Sequence, residues 1–385
     1  MLLSNVDSEW DIDAITEYCQ RINGIDLGQG ISSLPVPEEM LVGVDNTLLD
    51  KMSHHYSSPK GIGDLRKMIA NKFYYFNQII VDPETEVIIT HGATGALTCA
   101  IKALFNPGDE VLLFEPFYPA HRGLLEFFGV SVKLVPIRLS DLSFDLEQLE
   151  QSISSKTRGL LLCNPANPLG KVFQENELNV ISMIVEKYNL NVISDEIYEY
   201  ITYDSHQHIS FARLGANKSR TITISGFSKT YNATGWRLGY AAGPSHIIRQ
   251  MAKIQDLLYV CPVTPLQYVA RNTVFLQESY YKNLIQFYQK QRDIVINTFI
   301  EFGFKPILPQ GTYYTLIDIS TGFNDDKTAS MQFLQKAKIA TTPGRIFFIS
   351  AIGQKYIRIC FAKSVQRLSE ILLTEQNLLF QRHEA

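Results

Sequence analysis

Lys229 stands in the stretch Ser225-Gly-Phe-Ser-Lys-Thr-Tyr-Asn-Ala-Thr-Gly-Trp-Arg-Leu-Gly-Tyr240, among small, hydroxyl and aromatic residues, and Arg237 follows eight residues later. Burying a lysine in such surroundings lowers its pKa, and a neutral amine can condense with a carbonyl to a Schiff base. A surface lysine on a loop is the plainer alternative, which the absence of acids in the stretch disfavours. Three other places set polar residues at the end of an apolar run. His91-Gly-Ala-Thr-Gly95 follows the run Glu86–Thr90. Its small residues would let the backbone N–H groups of Gly92, Ala93 and Thr94 approach a phosphate at a helix start, or would simply make a tight turn. Asn164-Pro-Ala-Asn-Pro-Leu-Gly170 contains two Asn-Pro steps, which bias the chain away from helix. Asn167 there is either a rigidly placed donor or part of an Asx turn. The run Asn191–Asp195 continues into Glu196-Ile-Tyr-Glu-Tyr200. A carboxylate ending a buried run is costly unless paired, so Asp195 is expected to meet a cation, with Tyr198 three residues on. A salt bridge or helix cap would satisfy it equally.

These residues need a scaffold, and the chain alternates short apolar runs with helical patterns. Strands are expected at Glu86–Thr90, Glu110–Phe114, Ser131–Pro136, Gly159–Cys163, Asn191–Asp195, Thr221–Ser225 and Leu238–Ala242. Several are apolar throughout, as buried parallel strands are. Between them, Ala96, Leu97, Ala100, Ile101 and Leu104 share one helical face, as do Leu178, Ile181, Ile184, Val185 and Tyr188. A long helix is expected over Glu278–Phe302, followed by strands at Tyr313–Ile319 and Tyr356–Ala362. The expected fold is α/β: a three-layer α/β/α large domain with a mainly parallel sheet, plus a smaller α+β domain. The division is 1–45 for an N-terminal arm and part of the small domain, 46–285 for the large domain and 286–385 for the C-terminal small domain.

Taken together, Ser-Lys-Thr with Thr-Gly-Trp-Arg-Leu-Gly-Tyr, Asn-Pro-x-Asn-Pro and Asp-Glu-x-Tyr resemble the fold type I, class I/II aminotransferases, which use pyridoxal 5′-phosphate, over nearly the whole chain. The resemblance implies that Lys229 holds the cofactor as a Schiff base. It implies that Asp195 keeps the pyridine nitrogen protonated and that Asn167 and Tyr198 bond the ring oxygen. Arg237, Ala93 and Thr94 would hold the phosphate, and Tyr118, in Pro116-Phe-Tyr-Pro119, would stack on the ring. Tyr56 matches a tyrosine that reaches the partner subunit's phosphate, which makes the protein a homodimer with shared sites. Arg358 would clamp the substrate carboxylate, with Gly30 and Asn167 beside it.

The sequence departs from the family at several positions. Gly226 stands where the family often has a phosphate-binding serine, with Ser225 and Ser228 on either side. Ile31-Ser-Ser-Leu34 replaces the usual sequence after Gly30, and Leu169 replaces a common threonine. None of these removes a catalytic group. The implied activity is a ping-pong transfer of an amino group between an α-amino acid and a 2-oxo acid. A lyase or synthase of the same fold would share every motif. A ligand-sensing module of a transcription regulator would carry a DNA-binding extension, and the family match starts by about Gly28.

Composition narrows the rest. Thirty-five basic against thirty-nine acidic residues, without a Lys/Arg run, exclude a nucleic-acid surface. No apolar run approaches the roughly 18 residues of a membrane span. The opening Met1–Trp10 lacks a basic n-region, so no signal peptide is expected. The five cysteines are scattered and odd in number, which suits a reducing cytoplasm and indicates no metal knuckle. His54 and His55 are expected at the surface, and His121, near Tyr118, as a packed or exposed histidine that could line the pocket. Arg122 and Arg345 are candidates to meet an acidic substrate side chain.

Overall fold

Strands apolar on both faces need cover on both, and the chain supplies it with helices. The computed structural model describes residues 12–42, 44–271, 273–363, 365, 366 and 368. The first eleven residues of the expected N-terminal arm and the last seventeen of the chain lie outside them. Thirteen strands are found among the described residues: β1 Ile25–Asp26, β2 Val87–His91, β3 Glu110–Glu115, β4 Ser131–Pro136, β5 Thr157–Cys163, β6 Asn191–Asp195, β7 Thr221–Gly226, β8 Leu238–Ala242, β9 Lys305–Pro306, β10 Tyr314–Asp318, β11 Ile339–Ala340, β12 Thr342–Pro343 and β13 Tyr356–Cys360. Seven form one sheet in the order β2-β8-β7-β6-β5-β3-β4. Only β8 runs against its neighbours, so the other six end at one edge.

Alternate residues of these strands feed two cores. Leu112, Leu160, Leu162 and Val192 pack on one face with Leu178, Ile181, Ile184 and Val185 of the helix Glu175–Lys187. Val111, Leu113, Leu161 and Ile193 pack on the other with Ala96, Leu97, Ala100 and Ile101 of the helix Gly92–Leu104. Tyr188 leaves the expected helical face. It caps its helix at the surface and gives its hydroxyl to Glu150.

β12-β13-β10-β9 form a second, antiparallel sheet, and β1 pairs in parallel with β11. Leu284, Tyr288, Val295 and Phe299 of the helix Glu278–Glu301 pack in one cluster with Ile317, Ile357 and Phe361. From this side Arg358 reaches Asn167 of the large domain. Among the described residues no helix is long and apolar enough to cross a membrane.

Candidate active site

At the common edge of the large sheet lies a cleft of about 180 Å³, lined among others by Ala93, Thr94, Tyr118, Asn167, Asp195, Tyr198, Ser228, Lys229, Arg237 and Tyr314. Its position follows the rule that open α/β sheets bind ligands beyond the carboxyl ends of their strands. One end is built for an anion. β2 stops at His91, Gly92 turns with φ +66°, and the helix Gly92–Leu104 begins there, with Ala93 and Thr94 in its first turn. Arg237 takes a left-handed conformation, φ 51°, and its Nη1 donates to the Thr234 carbonyl at 3.0 Å. A Cβ on Gly92 would stand 2.8 Å from Arg237 Nη2, so the missing side chain is what lets the guanidinium lie on the turn.

The middle of the cleft holds Lys229 and Asp195. Lys229 lies in the short helix Phe227–Thr230, and its Nζ donates to the Gly30 carbonyl at 3.1 Å. Burial pushes its ammonium down to about 8. The Arg358 and Arg237 guanidinium groups add to that push, while Cys360 and Asp195 oppose it. Asp195, last residue of β6, is buried, accepts from Ile197 N at 3.2 Å and lies 2.8 Å from His121 Nε2. The His121 ring sits edge-on to the Tyr118 ring, centroids 5.3 Å apart. Tyr198 is enclosed, with its hydroxyl 3.4 Å from that of Tyr314, and burial holds its phenol well above the ordinary range.

The far end is a buried guanidinium. Arg358, on β13, is 3% exposed. Its Nη2 donates to the Gly28 carbonyl at 2.7 Å and its Nη1 to Asn167 Oδ1 at 3.2 Å. It lies over the rings of Tyr314 and Phe347 at 4.2 and 4.7 Å. Its Nε is buried without a hydrogen-bond partner. Gly30 completes this end, since a Cβ there would fall 1.8 Å from the Tyr314 hydroxyl. Among the described residues no carboxylate forms an ion pair with Lys229, Arg237 or Arg358.

The structure thus gathers the residues singled out in the sequence around one cleft, with Gly30 and Arg358 at its end. Tyr56 stands apart: it is 83% exposed and lies in a different surface depression of the same chain, with Met52 and Tyr268. The choice between serines resolves by orientation, because Ser228 lines the cleft while Ser225 turns its hydroxyl away to Glu199 at 2.6 Å. Gly226 has a physical reason too: a Cβ there would meet the Gly239 Cα at 3.0 Å and the Leu238 carbonyl at 3.1 Å, so the neighbouring strand β8 leaves a serine no easy room. Reading His121 as an ordinary packed or exposed histidine was incomplete. It is buried but holds Asp195, and its one-turn spacing from Tyr118 at the start of the helix Pro119–Phe127 was the available signal. Tyr314 and Thr234 also line the cleft and were not picked out as site residues.

Comparison with known proteins agrees with this geometry. Residues 22–374 match the family model described as aminotransferase class I and II. The chain is 31% identical to the aromatic-amino-acid aminotransferase 2 of Thermococcus litoralis over 366 residues, 94% of this chain and 93% of that protein. It is 33% identical to human kynurenine–oxoglutarate transaminase 1, covering 88% of each. The solved structure of N-succinyldiaminopimelate aminotransferase from Mycobacterium tuberculosis superposes with a TM-score of 0.91 at 29% identity, covering 97% of each chain.

Proposed function

Because the chain belongs to the class I and II aminotransferase family and is an aminotransferase, we propose that it moves an amino group between an α-amino acid and a 2-oxo acid in a ping-pong cycle, with pyridoxal 5′-phosphate as cofactor. One observation carries the reading: Lys229 and Arg237 line one cleft, Arg358 is bonded to Asn167 of its wall, and among the described residues none of the three has a carboxylate partner. The buried Arg358 and the half-buried Lys229 are costly without counter-charge unless a ligand brings it, and the exposed Arg237 stands open to an anion. A phosphate at Arg237 and a carboxylate at Arg358 would supply them. The residues present fit the cofactor: the bare Gly92 turn keeps the Arg237 guanidinium beside the start of the helix Gly92–Leu104, where a phosphate can be held.

In this reading Ala93, Thr94, Ser228 and Arg237 hold the phosphate, and Tyr118 covers the ring. Asn167 and Tyr198 donate to the ring oxygen. Tyr56 serves the partner subunit's phosphate in a homodimer. When bound, pyridoxal phosphate supplies a carbonyl for condensation with an amine and a protonated ring that draws electrons away from the substrate Cα. Asp195 holds the proton at the ring nitrogen, since an opposite charge favours the protonated form. Lys229 Nζ removes the proton from the substrate Cα. A pKa near 8 suits a group that must hold and release that proton close to neutral pH. Arg358 orients the substrate through its carboxylate, with Asn167 fixing the guanidinium.

The side-chain end of the cleft favours a neutral donor. Arg122 is paired with Glu126 and Arg345 with Asp326, so neither arginine is offered to an acidic side chain. The cleft wall carries the aromatic rings of Tyr118, Tyr198 and Tyr314.

The test is visible absorbance of the purified protein loaded with pyridoxal phosphate, before and after single amino acids are added without an oxo acid. The expected result is a yellow band that converts to the pyridoxamine spectrum with neutral donors, more slowly with aspartate, and that Lys229→Ala does not form. A band that persists while pyruvate or ammonia accumulates would replace transamination by the lyase or synthase reading. Failure to take up the cofactor would overturn the reading altogether.

A further inference from the structure

Asp195 and Tyr198 point into the cleft, and the residue after each points the other way. Glu196 is 0% exposed and Glu199 is 1% exposed. Both run into a polar cluster behind the cleft wall. Glu199 Oε1 accepts from Lys72 Nζ at 2.5 Å, from Ser225 Oγ at 2.6 Å and from the Tyr240 hydroxyl at 3.4 Å. Its Oε2 accepts from Asn77 Nδ2 at 2.8 Å, and Asn77 Oδ1 in turn accepts from Lys72 at 2.8 Å. Glu196 Oε1 takes the hydroxyls of Ser194 and Ser210 at 2.7 and 2.9 Å, and its Oε2 lies 2.9 Å from His208 Nε2. Ligand atoms of Glu196, Glu199 and His208 lie within 4.8 Å of one another, the spacing of a cation site, and Lys72 puts an ammonium against Glu199. Four rings, Phe73, Phe76, Tyr200 and Tyr240, surround that ammonium at 4.9 to 5.6 Å.

None of these groups reaches the cleft, yet two chain segments that do are tied to them. One is 195–199, with Asp195 and Tyr198. The other is the end of β7, where Ser225 precedes Lys229 by four residues. We propose that Lys72 is a positioning residue: through Glu199 it locks the segment bearing Asp195 and Tyr198 to the strand end bearing Lys229, and so sets the geometry between the groups that receive the cofactor. The proposal rests on the cofactor reading above. A hydrophobic pair of similar volume would pack as well or better, so stability alone does not account for buried charges here.

Four proteins test it: the wild type, Lys72→Met, Lys72→Met combined with Glu199→Met, and Lys67→Met as an exposed control on the same helix. Three quantities are read: the thermal midpoint without cofactor, the Kd for pyridoxal phosphate by fluorescence titration, and the rate at which acetic anhydride labels Lys229, followed by mass spectrometry. Lys72→Met alone leaves Glu199 unpaired and lowers the thermal midpoint. The double variant leaves neither charge and is expected to recover it. It should nonetheless bind pyridoxal phosphate about tenfold more weakly and label Lys229 at a rate changed about threefold, because misplaced groups lose function without losing the fold. Recovery of both Kd and labelling rate in the double variant would overturn the proposal and leave the cluster a purely structural one. If the double variant does not fold, Ser225→Ala decides. It keeps the ion pair and removes the side-chain tie from Glu199 to the strand end before Lys229, so Kd should weaken about fivefold at an unchanged thermal midpoint, and an unchanged Kd and labelling rate would overturn the proposal. A wild type that binds no pyridoxal phosphate would sink the cofactor reading, while the labelling rates would still decide the role of Lys72.

Discussion

Lys229 and Lys72 are both withdrawn from water, and burial lowers the pKa of each. Their partners differ. Lys72 meets Glu199 at 2.5 Å inside an aromatic cage, with every hydrogen bond made to the protein itself. Lys229 meets one backbone carbonyl, and its nearest charged company includes two guanidinium groups. The first arrangement is complete as it stands. The second is complete only with an anionic ligand. Burial alone therefore does not separate a functional lysine from a structural one, whereas the missing counter-charge does.

Substitution should break this comparison most visibly at the two lysines themselves. Lys229→Met is expected to abolish Schiff-base formation and to lower turnover by at least about 10³-fold, measured by coupled assay. The cofactor-free protein should be no less stable, since an unpaired buried cation has gone. Lys72→Met should do the opposite to the fold: stranding Glu199 costs about 3–5 kcal/mol in denaturant unfolding. Equal destabilisation by the two substitutions would show that both lysines are structural.

A smaller effect is expected at the anion sites. Arg358→Lys loses the fork that grips a carboxylate, so KM for the amino acid should rise by about 1.5–3 kcal/mol in equivalent terms, roughly ten- to hundredfold, with cofactor affinity little changed. A rise in cofactor Kd instead would move Arg358 out of its assigned place. His121→Phe removes the 2.8 Å contact to Asp195. Cofactor binding should weaken by about 1 kcal/mol, roughly fivefold.

A further effect is in pH. Lys229 has a folded pKa of about 8, below its value in an unfolded chain. Labelling of Lys229 should climb about tenfold per pH unit below 8 and flatten above it. The unfolded chain holds this proton more tightly, so the group opposes folding below pH 8, and stability should gain as pH rises from 8 toward about 10.4. A labelling rate that went on climbing about tenfold per unit from pH 8 to pH 10 would mean that the ammonium is not desolvated.

Much of this molecule could be read from residue order. β4, β6 and β8 fall where the apolar runs put them, and β2 is displaced by one residue. Such runs can be read because a strand buried on both faces must be apolar at nearly every position. The chemistry of Lys229, Asp195 and Asn167 was legible for a related reason: each ends or follows a parallel strand, and such ends gather at one edge, where Arg237 enters the antiparallel β8. His121 is packed, as expected, but its bond to Asp195 was not legible, because that partner lies 74 residues away and is met only when a helix packs against the end of β6. Gly226 looked like a missing contact until β8 was laid beside it.

The sequence alone determined the alternation of elements, the fold class and the set of reactive side chains, because periodicity and turn chemistry act over a few residues. Only the tertiary structure decided which of these side chains share a cleft and which serine faces it. It also decided that Lys229, Arg237 and Arg358 are left without carboxylates while Lys72 is given one. Those outcomes depend on burial and charge pairing between segments far apart in the chain, and no local pattern carries that information.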